Sequence, residues 1–254
     1  MEGSTPQRVA ARIVADQQAM ASNRALADRL RASVPGQPAI EHLRLDLQAE
    51  SAEFNLREAV RDEQANLYAL AGDAGLEQQV LRRLPPGHDA GLADAVAAVR
   101  AVGRLAGIAD PGQLKVRRTR RFADSEPIDA LLGYYHSAAN REGLDWTYLA
   151  AINYIESDFG RLNGPSGAGA LGPMQFLPST WREYGGGGDI LSSRDSIAAA
   201  ARFLRRNGAP GDYGRALLGY NHDPDYVAVV QGFAAALRSD GLWLTRLYYW
   251  STFG

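Results

Sequence analysis

The chain has 254 residues, no cysteine, 46% hydrophobic and 22% charged residues, and a formal net charge of -2. That length allows one large or two small domains, and the apolar fraction is enough for a real core, unlike the strongly charged, aliphatic-poor composition of disordered chains. Without cysteine there are no disulfides and no thiolate zinc sites; the four histidines (His42, His88, His136, His222) form no i, i+4 pair and no HExxH, and the near-neutral charge supplies no general phosphate-binding surface for nucleic acid.

In chain order, Gln7 to Ser33 is rich in Ala, Arg, Leu and Gln and stops at Val34-Pro35-Gly36, which predicts a first helix. A second helix is expected from about Pro38 to Gly72-Asp73. Its apolar residues Ile40, Leu43, Leu47 and Phe54, followed by Val60, Leu67 and Leu70, read as one core-facing stripe. A shorter helix is expected around Leu76 to Leu84, stopped by Pro85-Pro86-Gly87. Another spans Leu92 to Leu105, with Val96, Val99 and Val102 on one face. This all-helical N-terminal region, residues 1–115, carries no catalytic constellation. It reads as a support, a spacer or a surface for a protein partner. The cluster Arg117-Arg118-Thr119-Arg120-Arg121 then reads as a solvated linker, the alternative being contact with an anionic surface.

No stretch reaches the roughly 18 uninterrupted apolar residues of a membrane span, and the start Met1-Glu2-Gly3-Ser4-Thr5-Pro6 has no basic n-region or apolar h-region. A membrane anchor is therefore expected only in a longer native chain.

The second half, residues 116–254, holds most of the glycines and aromatics. Asp145 is a natural N-cap for a helix through Trp146 to Phe159, with Gly160 as its stop. Glu156 lies seven residues after Leu149, four after Ile152 and three before Phe159, so it shares the apolar stripe. A carboxyl there is desolvated, which raises its pKa and keeps it protonated near neutral pH, as a general acid requires. Next comes a glycine-rich loop, Asn163 to Gly172, followed by Pro173-Met174-Gln175-Phe176-Leu177 and a helix start at Pro178-Ser179-Thr180-Trp181. Glycine lets backbone approach a ligand, and Gln175 offers both donor and acceptor. Ser196 to Arg206 reads as a core helix. The closing run Leu242 to Trp250 is expected either as a clasp over the core or as one wall of a glycan groove.

Three segments together carry a resemblance: Ile155-Glu156-Ser157; Ser166 with Gly169-Ala170-Leu171-Gly172-Pro173-Met174-Gln175-Phe176-Leu177-Pro178-Ser179-Thr180-Trp181; and Gly219-Tyr220-Asn221. In order and spacing this resembles the lytic transglycosylases of the soluble-lytic-transglycosylase (SLT) type, over about Phe122 to Phe253, and looks closest to their actinobacterial, cell-wall-lytic members. Gly219 stands where the family usually has Ala. The Gly185-Gly186-Gly187-Gly188-Asp189 stretch has a single carboxylate, so the calcium loop of some relatives is not supported.

The resemblance implies a mainly α fold, with a lysozyme-like catalytic domain after the helical N-terminal region, and needs no metal and no cofactor. It implies peptidoglycan glycan strands as substrate, and hence an exported or anchored protein. It makes Glu156 the acid/base and Tyr220 an orienting group hydrogen-bonded to Glu156 or to the sugar's acetamido group, with Ser157, Ser166, Met174, Gln175 and Asn221 toward the glycan or its peptide. Two rival readings remain at this point. One is an inverting hydrolase on the same fold, with Asp189, Asp158 or Asp223 as base. The other is a non-catalytic, wall-binding helical scaffold.

Overall fold

The computed structural model describes residues 5–113, 124–162 and 164–250. Lys115, the arginine cluster Arg117 to Arg121, the 115/116 division and Asn163 lie outside the described residues. Eleven α-helices and no strand occur among the described residues. The fold is mainly α.

Local chemistry sets most helix starts. In α1 (Pro6–Ala32) the Thr5 side chain accepts from Arg8 N, and Pro6 occupies the first turn, where a missing N–H costs nothing. Asp73 caps α3 (Ala74–Leu81), Ser192 caps α8 (Ser193–Arg206), Asp212 caps α9 (Tyr213–Tyr220) and Asp223 caps α10 (Pro224–Ser239), each accepting a backbone N–H of the first turn. The remaining elements are α2 (Ala39–Gly72), α4 (Leu92–Leu105), α5 (Ile128–Glu142), α6 (Trp146–Ser157), α7 (Pro178–Tyr184) and α11 (Leu242–Tyr249).

Helices α1 and α2 form a long antiparallel hairpin. The face of α2 that meets α1 is Leu45, Ala49, Ala52, Leu56, Ala59 and Val60. The expected stripe through Ile40, Leu43, Leu47 and Phe54 is not core: these side chains are 82%, 58%, 57% and 60% exposed. The reason is angular. At 100° per residue, the six-residue step from Phe54 to Val60 moves 120° around the helix, so the apolar residues before and after it lie on different faces. Only the Val60, Leu67 and Leu70 face is buried.

The core is continuous from Val9 to Trp250. Helix α4 lies along α10, and α10 in turn packs on α6, which also touches α5, α8 and α11. The α4–α10 crossing is close because position 232 is glycine: a Cβ there would stand 2.9 Å from both Ala98 Cβ and Asp94 O. The closing segment is a clasp. Trp243 and Trp250 are fully buried, and Trp243 Nε1 donates to Ala90 O at 3.0 Å, tying the chain end to the N-terminal region.

A second tie is ionic. Glu63 of α2 is fully buried and sits 3.3 Å from Arg246 Nε of α11, itself buried; Gln17 Nε2 of α1 donates to Glu63 Oε1 at 3.1 Å. Burial raises the Glu63 pKa against the pull of Arg246. Removing one partner of such a pair strands a buried charge. Arg246→Met is therefore expected to lower unfolding free energy by about 3–5 kcal/mol in urea titrations. Leu47→Ser, on the exposed face of α2, is expected to change it by less than about 0.5 kcal/mol.

Candidate active site

The site is built on the last turn of α6. Asp145 caps that helix, its carboxylate accepting from Thr147 N at 3.0 Å and from the Thr147 hydroxyl at 2.8 Å. Its buried face, with Leu149, Ala150, Ile152 and Asn153, packs against α10 and α5. The helix ends earlier than the sequence suggests. Asp158 and Phe159 both adopt left-handed backbone, φ 50° and 58°, so α6 stops at Ser157 rather than running to Gly160. Two successive non-glycine residues in that region are costly and persist only where packing dictates them. Here Phe159 is buried among Tyr154 and Tyr248, and Asp158 pairs with buried Arg161 at 3.2 Å.

Glu156 points into a pocket of tyrosines. Burial pushes its carboxyl up to about 7, and among the described residues the opposing influence is the Tyr226 hydroxyl, which donates to Oε1 at 2.7 Å. The Tyr226 phenol is itself held well above its usual pKa, first by burial and then by the Glu156 charge, so it stays a donor. Tyr220 lies behind it, the two rings parallel within 6° at 6.4 Å between centroids. Of the two partners expected for Tyr220, Glu156 is not the one it bonds: its hydroxyl donates to Met174 O at 2.7 Å. Geometry decides this, because Tyr226 comes from α10, the helix packed on α6, whereas Tyr220 ends α9 and reaches the Gln175 loop instead.

Tyr226 is the residue that sequence reasoning missed. A signal existed in Asp223-Pro224, a cap followed by a first-turn proline, with Tyr226, Val229, Val230, Phe233 and Leu237 at helical spacing.

The other residues named from sequence divide into struts and groove residues. Ser157 is fully buried, donating to Pro173 O at 2.5 Å and accepting from Gly160 N at 2.8 Å. Asn153 Nδ2 donates to the same Pro173 carbonyl at 2.9 Å and is held by Tyr135, whose hydroxyl donates to Asn153 Oδ1 at 2.6 Å. Ser157 therefore straps the 172–176 turn to α6. The Met174 side chain is also fully buried, and only its carbonyl serves the site. The turn that carries it needs glycine at 172: φ is 74°, and a Cβ would fall 2.0 Å from Ile190 O.

Gln175 is half-buried at φ 48°, its amide donating to Gly172 O at 2.9 Å and Gly164 O at 3.3 Å. Its donors are thus committed to the loop, and Oε1 is what remains to face a ligand. Ser166 is exposed, its Oγ accepting from Ala170 N at 3.0 Å and so shaping the 166–170 turn. Asn221 is exposed at the C-cap of α9, with His222 beside it.

Other carboxylates are already engaged. Asp158 is ion-paired with Arg161, Asp223 accepts from Asp225 N at 2.8 Å, and Asp189 accepts from Leu191 N at 2.9 Å. No group of three or more His, Cys, Asp or Glu able to hold a metal ion occurs among the described residues.

Residues 133–231 match the Transglycosylase SLT domain family. The span contains Glu156, the Gln175 loop, Tyr220 and Tyr226. The membrane-bound lytic murein transglycosylase F of Thiobacillus denitrificans (strain ATCC 25259 / T1) is 36% identical over 88 residues, which is 35% of this chain and 17% of that protein. The chain thus aligns with less than a fifth of the relative's length. No solved structure matches. Among the described residues no helix is long and apolar enough to cross a membrane.

The raised Glu156 pKa has a stability consequence. Between the ordinary glutamate pKa of 4.5 and about 7 the folded protein holds a proton that the unfolded chain has lost, so this residue's contribution to stability falls as pH rises through that window. Glu156→Gln removes the charge. It is expected to stabilise the protein at pH 8 by up to about 3 kcal/mol relative to its effect at pH 4, measured by urea unfolding at both pH values.

Proposed function

Taking as premise the transglycosylase SLT domain that this chain carries over residues 133–231, we propose that the protein is a peptidoglycan lytic transglycosylase. Its single acid/base in this reading is Glu156. The observation that carries it is a carboxyl desolvated enough to keep about half of its proton at pH 7, with a tyrosine hydroxyl as its hydrogen-bond partner and, among the described residues, no neighbouring cation to draw the proton off. Such a group is poised both to give and to take a proton.

In the proposed reaction Glu156 donates its proton to the glycosidic oxygen between N-acetylmuramic acid and N-acetylglucosamine. The C1–O bond breaks, and positive charge develops on C1 of the muramic sugar. The sugar's own acetamido carbonyl stabilises that carbon, which removes the need for a second carboxylate as nucleophile. Glu156, now ionised and held by the Tyr226 hydroxyl, takes the proton from the C6 hydroxyl, and O6 closes on C1. The product is a 1,6-anhydro sugar, and no water is consumed. The Gln175 Oε1 acceptor and the exposed Asn221 amide are suited to the acetamido and hydroxyl groups of the glycan. Tyr220 and Ser157 hold the backbone of the Gln175 loop.

An inverting hydrolase would need a base across the groove. The engagement of Asp158, Asp189 and Asp223 in an ion pair, a turn and a helix cap argues against that alternative. For residues 1–115 we infer a bracing role, with residues 116–254 as the transglycosylase domain. The brace acts through α4, which lies along α10, the helix that presents Tyr226. Peptidoglycan lies outside the cytoplasmic membrane, so an extracytoplasmic location follows from this substrate.

Digestion of purified sacculi followed by mass spectrometry tests the reading. Wild type is expected to release anhydro-muropeptides, one water lighter than hydrolytic products, with activity declining above about pH 7 as Glu156 ionises. Glu156→Gln is expected to lose about 10²–10⁴-fold in rate. Finding only reducing ends would instead assign a hydrolase.

A further inference from the structure

A cleft of about 720 Å³ separates the α1–α2 hairpin from the start of α5 and the end of α11. Glu156, Gln175, Tyr220 and Tyr226 take no part in its walls. Its volume is within the range of small-ligand sites.

Among the described residues the charges of this cleft form two poles. At one, Asp28 of α1 and Asp129 of α5 share a single guanidinium, Arg24, at 3.4 Å and 3.7 Å. Two carboxylates against one cation leave a net negative charge. At the other, Arg31 of α1 and Arg57 of α2 share a single carboxylate, Glu53. Two guanidiniums against one carboxylate leave a net positive charge. Asp28 and Arg31 are three residues apart on one helix, their Cβ atoms roughly 5–6 Å from each other, so the two poles adjoin. The Tyr248 and Tyr249 rings form the wall on the α11 side, with Arg57 5.4 Å over the Tyr249 ring. Arg61 and Arg161 add no net charge, being paired with Glu58 and Asp158, while Asp124 adds a carboxylate on the α5 side.

A phosphate or a simple dicarboxylate would satisfy one pole and be repelled by the other. A zwitterion satisfies both. We propose that this bipolar cleft binds the peptide stem of peptidoglycan, whose carboxylates meet Arg31 and Arg57 and whose diamino residue places an ammonium against Asp28 and Asp129. The inference rests on the lytic reading above for the identity of the peptide. It adds a contact for the substrate outside the catalytic groove. The cleft also leads toward the reacting end of α6: a second cavity of about 360 Å³ shares Asp124, Ser125 and Pro127 with it and extends to Phe159, Gly160 and Pro173. Those residues are the turn after Glu156 and the neighbour of Met174.

The test is a calorimetric or NMR titration of the whole protein at low salt with an N-acetylated stem tripeptide ending in a diamino acid. Saturable binding is expected. Arg57→Gln and Asp129→Asn should each weaken it about fivefold, both being exposed side chains whose loss leaves the fold intact, as thermal melts would check. Acetylating the side-chain amine of the peptide should weaken binding to wild type by a similar factor and make little difference to Asp129→Asn, a coupling that a merely structural role would not produce. Glu156→Gln should bind like wild type. Absence of saturable binding, or equal affinity in wild type and both cleft variants, would overturn the proposal. No turnover enters this titration. Lysis without peptide binding therefore rejects the cleft alone, and peptide binding without anhydro products rejects the lytic reading alone.

Discussion

The site depends on one constraint, the partial withdrawal of the half-buried Glu156 carboxyl from water. A carboxylate in this position would be ionised at neutral pH if α6 ended in solvent. Here it is only about half ionised, because α10 packs over that end of α6 and brings Tyr226 onto Oε1. Desolvation raises the pKa, the tyrosine moderates the rise, and the balance near 7 is what the proposed reaction requires of a group that acts first as acid and then as base. The early stop of α6 serves the same end. Left-handed backbone at Asp158 and Phe159 turns the chain away immediately after Glu156 and drives the Phe159 ring into the core.

Around that carboxyl, much of the polar machinery consists of struts. Pro173 O receives both Ser157 and Asn153, Tyr135 fixes Asn153, and Tyr220 fixes Met174 O. All are buried or half-buried hydrogen bonds, costly to leave unmade and hence effective at holding one geometry. Their common object is the turn from Gly172 to Phe176, which pairs back on itself through Leu171 and Phe176. The turn then presents Gln175 in a strained conformation with its amide donors already spent on backbone.

The N-terminal helices join this arrangement through packing and charge. Close contact of α4 with α10 at Gly232 steadies the helix that carries Tyr226. Glu63 and Arg246, buried across α2 and α11, hold the hairpin to the chain end that also supplies Tyr248 and Tyr249. The hairpin thus forms one side of a cleft whose other side begins at α5; its basic pole comes from the hairpin, and its acidic pole joins Asp28 and Asp129 from the two halves of the chain.

From the sequence alone, helix positions were legible where caps and breakers mark them: α4 runs from Leu92 to Leu105 as its valine periodicity implies, and α1 ends within one residue of Ser33. The register of Glu156 on an apolar face was legible for the same reason, since periodicity within one helix is local information. What lay across helices was not. Periodicity does not say which of two apolar faces of α2 meets a partner, and the Phe54-to-Val60 step turned the expected stripe outward. Motif membership does not say whether a serine or a tyrosine touches substrate or holds a loop. Ser157 and Tyr220 hold the 172–176 turn, while the hydroxyl on Glu156 comes from Tyr226, five residues beyond the motif. Sequence determined which residues could lie together along each helix. Only the packing of α10 on α6 decided which hydroxyl meets the carboxyl, because that contact joins residues seventy positions apart.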